Sequence, residues 1–242
     1  MSKLVAYLDR TFYLGYEGNW DDCIFRGALL EKMKSEYVCL DCGAGRGRLT
    51  QMDFKGVVKF VAGVDLDDEV YRNPYLDEAK LIDVLNNVIP YKDSTFDLVF
   101  SDNVMEHVQN PYLALREIFR VLKPGGCFLS KTPNKWHYVP MIARLAPTST
   151  HRFYNKLRGR ETYDTFPTVY KIKSTKDVQL CASQAGFLSK RIELIEGRPE
   201  YLRLAGATYL FGLLYERFVN SADFLSSFRC VMIFEIEKPA GI

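Results

Sequence analysis

From Tyr37 onward the chain alternates short apolar runs with stretches of helical spacing. Tyr37–Asp41 (YVCLD) and Val57–Asp65 (VVKFVAGVD) are β-rich runs that each close on an aspartate, and Lys80–Val84 is a weaker strand candidate. Phe96–Ser101 (FDLVFS) reads as a strand and Asn110–Leu122 as a helix. Lys123-Pro124-Gly125-Gly126 should end that helix and turn the chain into a fifth strand, Cys127–Lys131. Short apolar strands alternating with helices predict a parallel sheet covered on both faces.

The pattern changes after residue 132. Ser174–Ala185 looks helical and stops at Gly186, while Phe187–Ile195 and Cys230–Glu237 read as strands. Segments 133–173 and 197–228 interrupt this order, and 1–36 is an aromatic-rich lead-in. One domain over 1–242 is therefore expected, with a cap (1–36), a core (37–132) and two insertions forming a lid.

Composition adds little until charge is followed along the chain. The totals, 48% hydrophobic, 26% charged and a net +2, are ordinary for a soluble domain. Residues 131–160, however, carry seven Lys and Arg (Lys131, Lys135, Arg144, Arg152, Lys156, Arg158, Arg160) and no acidic side chain. Such a segment suits a phosphate, a carboxylate or a membrane surface. No signal peptide or spanning run is read, and a cytoplasmic protein with reduced cysteines is expected. Cys39 and Cys42 form a C-x-x-C with no second pair nearby, so zinc or redox chemistry is not expected there.

The most informative stretch is Val38-Cys39-Leu40-Asp41-Cys42-Gly43-Ala44-Gly45-Arg46-Gly47. Glycines at a strand end permit a tight turn and close approach of backbone to a ligand. A helix N-terminus after the turn would add free N–H groups and a positive dipole end. Asp65 closes the next strand 20 residues after Gly45, where a carboxylate can accept both hydroxyl hydrogens of a ribose.

The four segments LDCGAGRG, GVDLD, FDLVFSDNVMEHV and REIFRVLKPGG, over about residues 37–133, resemble the class I S-adenosylmethionine-dependent methyltransferases. Within them the chain is most similar to the small-molecule group that includes ubiquinone-biosynthesis methyltransferases. The resemblance implies an α/β, Rossmann-like, doubly wound sheet of seven mostly parallel strands with an antiparallel last strand, helices on both faces and two lid insertions. It places S-adenosylmethionine against Asp41, Gly43, Ala44 and Gly45 at the methionine end, with Asp65 on the ribose and Leu66 beside the adenine. Asp83 and Val84 would meet the adenine edge, and Ser101 would sit by the sulfonium.

Methyl transfer from a sulfonium asks mainly for in-line positioning and exclusion of water. A general base is needed only for an acceptor protonated at neutral pH, and His107 and His151 are the candidates. Asn103 stands where the related metal-binding stretch has an acidic residue, so no metal is expected at Asn103, Glu106 and His107. The basic and aromatic 133–173 segment fits a small polar acceptor, with O-methylation of a glycan, nucleotide-sugar or secondary metabolite the first expectation. An RNA or tRNA methyltransferase and a non-catalytic cofactor-binding partner subunit are the alternatives, with nucleic acid disfavoured by the acidic first 130 residues. Tyr201–Val219 is expected to pack as core, with a peripheral membrane, a lipid-linked substrate or a homodimer contact left open.

Overall fold

The computed structural model describes residues 3–14, 20–83, 88–139, 141, 169, 171–172, 174–203 and 205–241. Seven strands form one sheet: β1 (Val38–Cys42), β2 (Phe60–Asp65), β3 (Glu78–Leu81), β4 (Phe96–Asp102), β5 (Leu122–Pro133), β6 (Leu188–Ile195) and β7 (Val231–Glu237). Their spatial order is β3-β2-β1-β4-β5-β7-β6, and only the β7 pairings are antiparallel. Among the described residues, the α-helices with defined bounds are α1 (Lys3–Phe12), α2 (Trp20–Leu30), α3 (Pro111–Val121), α4 (Thr175–Ala185) and α5 (Gly206–Asn220).

Central strands β1, β2 and β4 are apolar on both sides because both sides are covered. Leu40, Val64, Val99 and Phe128 face α3 and α4, which contribute Leu115, Ile118, Val178 and Ala182. Cys39, Val61, Leu98 and Leu129 face the opposite layer, built from Trp20, Phe25 and Leu29 of α2 with Met52, Phe54 and Val70 from irregular chain. Each helix of the first layer has a sequence-encoded start. The Asn110 carboxamide accepts from Leu113 N at 3.2 Å, and Ser174 Oγ accepts from Asp177 N at 3.3 Å. Gly186, at φ +96°, closes α4 in a left-handed conformation that costs a glycine little. The outer strand β6 is exposed over its first half and carries Lys190, Arg191 and Glu193, charges that discourage edge pairing with another chain.

Three expectations need correction. No α-helix follows the glycine turn: the chain between β1 and β2 holds a single 3-10 turn, Thr50–Met52. Only 17 residues separate Cys42 from Phe60, and Asp53, Gly56 and the strand entry use the last of them. Lys123-Pro124-Gly125-Gly126 is not a free turn, since β5 already starts at Leu122 and the extra residues form an irregularity opposite Phe96–Leu98. The α5 helix is not a plain core helix either. It buries Tyr209, Gly212, Glu216 and Val219, while Leu210, Phe211, Leu214 and Phe218 are exposed.

The lead-in and the second insertion meet. Val5, Leu8 and Tyr13 pack on Tyr209 of α5, Asp9 accepts from the Tyr209 hydroxyl, and Arg203 Nη2 lies 2.6 Å from Asp9 Oδ2. The buried Glu216 is matched by donors, Tyr13 Oη at 3.2 Å and Asn220 Nδ2 at 2.8 Å. No described helix is long and apolar enough to cross a membrane.

Candidate functional site

Parallel strands β1, β2 and β4 end together, and of the candidate residues Asp41, Asp65 and Ser101 lie at those ends. The turn after β1 is fixed by Gly43 N and Ala44 N, which donate to Val64 O at 2.8 and 3.2 Å. Gly43 adopts φ +80°, and a Cβ there would be driven into Val104 Cγ2, so both dihedral and space demand glycine. Gly45, at φ +50°, has nothing among the described residues within 4 Å of the place a Cβ would occupy. That open side is where a ligand can approach the backbone.

Asp65 ties the turn to β2. Its Oδ2 accepts from Gly45 N at 2.8 Å, and its Oδ1 accepts from Leu66 N and Asp67 N at 2.7 and 3.1 Å. A carboxylate offers about four lone-pair positions. Three backbone donors leave room for one more. Asn73 was not singled out from sequence, yet it braces the glycine turn from the far side of β2. Its Nδ2 donates to Ala44 O at 2.9 Å and Gly45 O at 3.2 Å, while its Oδ1 accepts from Tyr75 N at 2.9 Å. The signal was available only as an Asn-Pro turn after an acidic 3-10 stretch, and its partner lies 28 residues away.

Leu66 follows Asp65 and is exposed. Asp83 is exposed just past β3, its backbone bridged to Val88. Val84 and His151 lie outside the described residues. Ser101 is buried, and its hydroxyl donates to Ser130 Oγ at 2.9 Å across β4 and β5 rather than opening toward the strand ends. His107 is half-buried in the loop after β4, its Nε2 3.8 Å from Glu106 Oε1.

An acidic concentration lies where β1 and β4 end. Asp41 is buried, and its pKa stands well above the ordinary carboxylate value, first through burial and then through Asp102 and Asp65. Asp102, another residue not singled out beforehand, follows Ser101 at the end of β4. Its pKa is also raised, by burial first, against the field of Lys131. Its Oδ1 lies 3.0 Å from Lys131 Nζ, whereas its Oδ2 is buried with no hydrogen-bond partner among the described residues. Lys131 is itself fully buried and also holds Asp22 and, at 2.9 Å, Asp21 of α2. It is thus a core ion-pair residue and not part of a surface for anionic substrates. Across the loop, Glu106 is buried with its carboxyl pushed up to about 7 by burial, and Thr132 Oγ1 donates to it at 3.0 Å.

Cys39 and Cys42 belong to opposite faces of the sheet, and burial raises both thiols, Cys39 to about 12. They cannot share an ion. Asn103 turns its amide to Asp102 Oδ1 at 2.8 Å.

S-adenosylmethionine fits what is present on three counts. The glycine turn has an open side, Asp65 keeps one acceptor position, and the buried, unpartnered oxygen of Asp102 beside Asp41 calls for a cation. The ligand carries two cationic groups, a sulfonium and an ammonium.

Comparisons with known proteins point the same way. Residues 40–130 match the family described as "Methyltransferase domain". An uncharacterised protein of Methanocaldococcus jannaschii is 36% identical over 122 residues, covering 48% of this chain and 51% of its own. A ubiquinone biosynthesis O-methyltransferase of Maricaulis maris is 30% identical over 134 residues, covering 49% and 52%. The chain thus spans about half the length of these curated relatives. The crystal structure of the [4+2]-cyclase SpnF superposes with a TM-score of 0.60 at 18% identity, covering 93% of this chain and 85% of that one, a likeness of fold. Over residues 40–130 the chain is therefore similar to the class I, S-adenosylmethionine-dependent methyltransferases.

Proposed function

We propose that the chain binds S-adenosylmethionine at the ends of β1, β2 and β4 and transfers its methyl group to a small polar acceptor. The observation that carries this reading is the Gly45–Asp65 contact at 2.8 Å, with open space on the other side of Gly45. When bound, the cofactor supplies an electrophilic methyl carbon on a sulfonium. The residues do the remaining work. Gly43, Gly45 and Asn73 shape the backbone surface, Asp65 orients a hydroxyl, and Asp41 with Asp102 favours positive charge in a water-poor site where electrostatic interactions strengthen.

The acceptor side lies toward the loop after β4 and the two insertions, because ligands of open α/β sheets bind beyond the carboxyl ends of the strands. Glu106, with its carboxyl at about 7, is placed to take a proton from an acceptor hydroxyl at neutral pH, and His107 stands next to it. O-methylation of a glycan, nucleotide-sugar or secondary metabolite is the acceptor class we favour. The O-methyltransferase relative supports that chemistry, and the exposed Leu66 and Trp136 offer apolar surface near the strand ends.

Because a cyclase shares this fold, cofactor binding alone does not establish methyl transfer. The test has two parts. Calorimetric titration should give micromolar binding of S-adenosylmethionine and S-adenosylhomocysteine, weakened at least tenfold in Asp65→Ala, a loss of about 1.4 kcal/mol or more. Acceptor-dependent release of S-adenosylhomocysteine should then appear with hydroxylated small molecules. A folded wild type that binds neither compound overturns the reading; binding without turnover against any acceptor class reduces it to a cofactor-binding subunit.

A further inference from the structure

On the other half of the same sheet edge, three side chains of different chemistry converge. His137 follows β5, Glu196 follows β6 and Cys230 precedes β7. Because β7 runs antiparallel between β5 and β6, these chain ends lie side by side, with Val231 opposite both Pro133 and Ile195. One ligating atom of each residue lies within 4.8 Å of the other two. His137 Nε2 and Glu196 Oε2 are 3.4 Å apart, and their side chains are only 2% and 3% exposed. Neither of these two atoms has a hydrogen-bond partner among the described residues. Buried polar atoms are almost always satisfied, so a facing pair of unsatisfied ones asks for an explanation.

We propose that His137, Glu196 and Cys230 form a binding site for a divalent ion of the zinc class. Imidazole, carboxylate and thiolate together suit a borderline-soft ion, whereas magnesium and calcium prefer oxygen donors throughout. With ligand bonds of about 2.0–2.3 Å, neighbouring donors round a tetrahedral ion stand about 3.3–3.7 Å apart. The imidazole and carboxylate already have that spacing, and the sulfur, within 4.8 Å of both, completes it by moving in by at most about 1.5 Å. An ion between them satisfies both orphaned atoms at once.

The frame around the three residues is rigid. The Glu196 carboxylate accepts from the backbone N–H groups of Cys230 and Gly197, which leaves Oε2 free to face His137. Asn134 holds the β5 exit against the approach to β7, its Nδ2 donating to Ser227 O and Arg229 O at 2.7 Å each. The His137 ring is flanked by Tyr138 and Tyr215, at centroid distances of 4.1 and 5.6 Å, which fix the imidazole plane. Binding releases the Cys230 thiol proton and the proton that burial favours on the Glu196 carboxyl, and the resulting thiolate and carboxylate balance the ion's two positive charges. Three protein donors leave a tetrahedral ion one further position for water or an oxygen of a small molecule. The site ties together the ends of β5, β6 and β7 under α5, and it does not depend on the cofactor reading.

Metal-free protein titrated with Co²⁺ tests the site directly. One equivalent should bind, with thiolate-to-cobalt charge-transfer absorption that one equivalent of Zn²⁺ displaces. Cys230→Ser should abolish that absorption with an unchanged far-ultraviolet spectrum, and Glu196→Gln should weaken binding at least tenfold. On the wild type alone, Zn²⁺ should protect Cys230 from alkylation, read by mass mapping, so the test stands even if a variant misfolds. Absence of stoichiometric binding by folded wild type, charge transfer that survives in Cys230→Ser, or protection of a different cysteine would each overturn the proposal.

Discussion

Lys131 Nζ stands 3.0 Å from Asp102 Oδ1, and through this contact the candidate cofactor site is joined to the N-terminal segment. The same ammonium holds Asp21 and Asp22 of α2, so one buried cation answers three carboxylates. Removing one partner of a buried charge cluster costs about 3–5 kcal/mol, because the remaining charges stay desolvated. Lys131→Met should lower the thermal midpoint by on the order of 10 °C, at roughly 2–4 °C per kcal/mol for a chain of this size. A change under about 2 °C would show that the cluster is solvated in solution.

The second oxygen of Asp102 has no hydrogen-bond partner among the described residues. If a ligand cation completes it, Asp102→Asn should weaken S-adenosylmethionine by roughly tenfold, about 1.4 kcal/mol. S-adenosylhomocysteine lacks the sulfonium charge, so a smaller loss for it places Asp102 near the sulfur, and an equal loss places it near the ammonium. Unchanged affinity for both compounds refutes the assignment.

Glu106 gives a pH signature. Its carboxyl is raised from 4.5 to about 7 in the folded chain, chiefly by burial. Between those values the folded state holds a proton that the unfolded state has lost. The stabilisation is therefore full below about 4.5 and is lost as pH rises through about 7. Urea unfolding of wild type and Glu106→Gln at pH 5 and 7.5 should differ by up to about 3 kcal/mol in their pH response, wild type losing more at the higher pH. Parallel responses would mean that the carboxyl is ionised throughout.

Two glycines separate strain from collision. Gly56 (φ +77°) has empty space where a Cβ would go, whereas Gly43 (φ +80°) faces Val104. Gly56→Ala should cost about 1–2 kcal/mol from backbone alone, and Gly43→Ala about 2–4 kcal/mol, since overpacking adds to it. Chemical denaturation measures both. Adding Val104→Ala to Gly43→Ala should recover part of the difference; equal costs for the two single changes would dismiss the close packing.

On α5, Phe211 is 76% exposed and Tyr209 is fully buried against Asp9 and the α1 residues. Phe211→Ser should therefore alter stability by no more than about 0.5 kcal/mol. Tyr209→Phe, which strips a buried hydrogen bond from a carboxylate, should cost about 1.5–3 kcal/mol. Scanning calorimetry decides, and the reverse ranking would turn the helix over.

Local chemistry was legible in the sequence, whereas long-range pairing was not. Gly43, Gly45 and Asp65 stood out because a strand end, a turn and a second strand end repeat at a readable spacing. The sheet was legible for the same reason, since β1, β2 and β4 are apolar on both faces. Lys131 looked like the start of a basic segment because its partners lie 109 and 110 residues away on α2. Asn73 escaped because no periodicity marks a side chain that braces a turn 28 residues away. The α5 helix misled by composition: its apolar residues are many, but Gly212 and Glu216 share the buried stripe and the phenylalanines do not.

The ion triad of Lys131 bears on where this fold can be cut. Two of its three counter-charges, Asp21 and Asp22, come from before Tyr37, outside the segment that matches the methyltransferase family. A version beginning at Tyr37 would keep every strand and the whole glycine turn, yet leave an ammonium inside the sheet facing Asp102 alone. The smallest portion that looks complete by motif is electrically incomplete. Truncation libraries and domain grafts built on it should start at α2 or earlier.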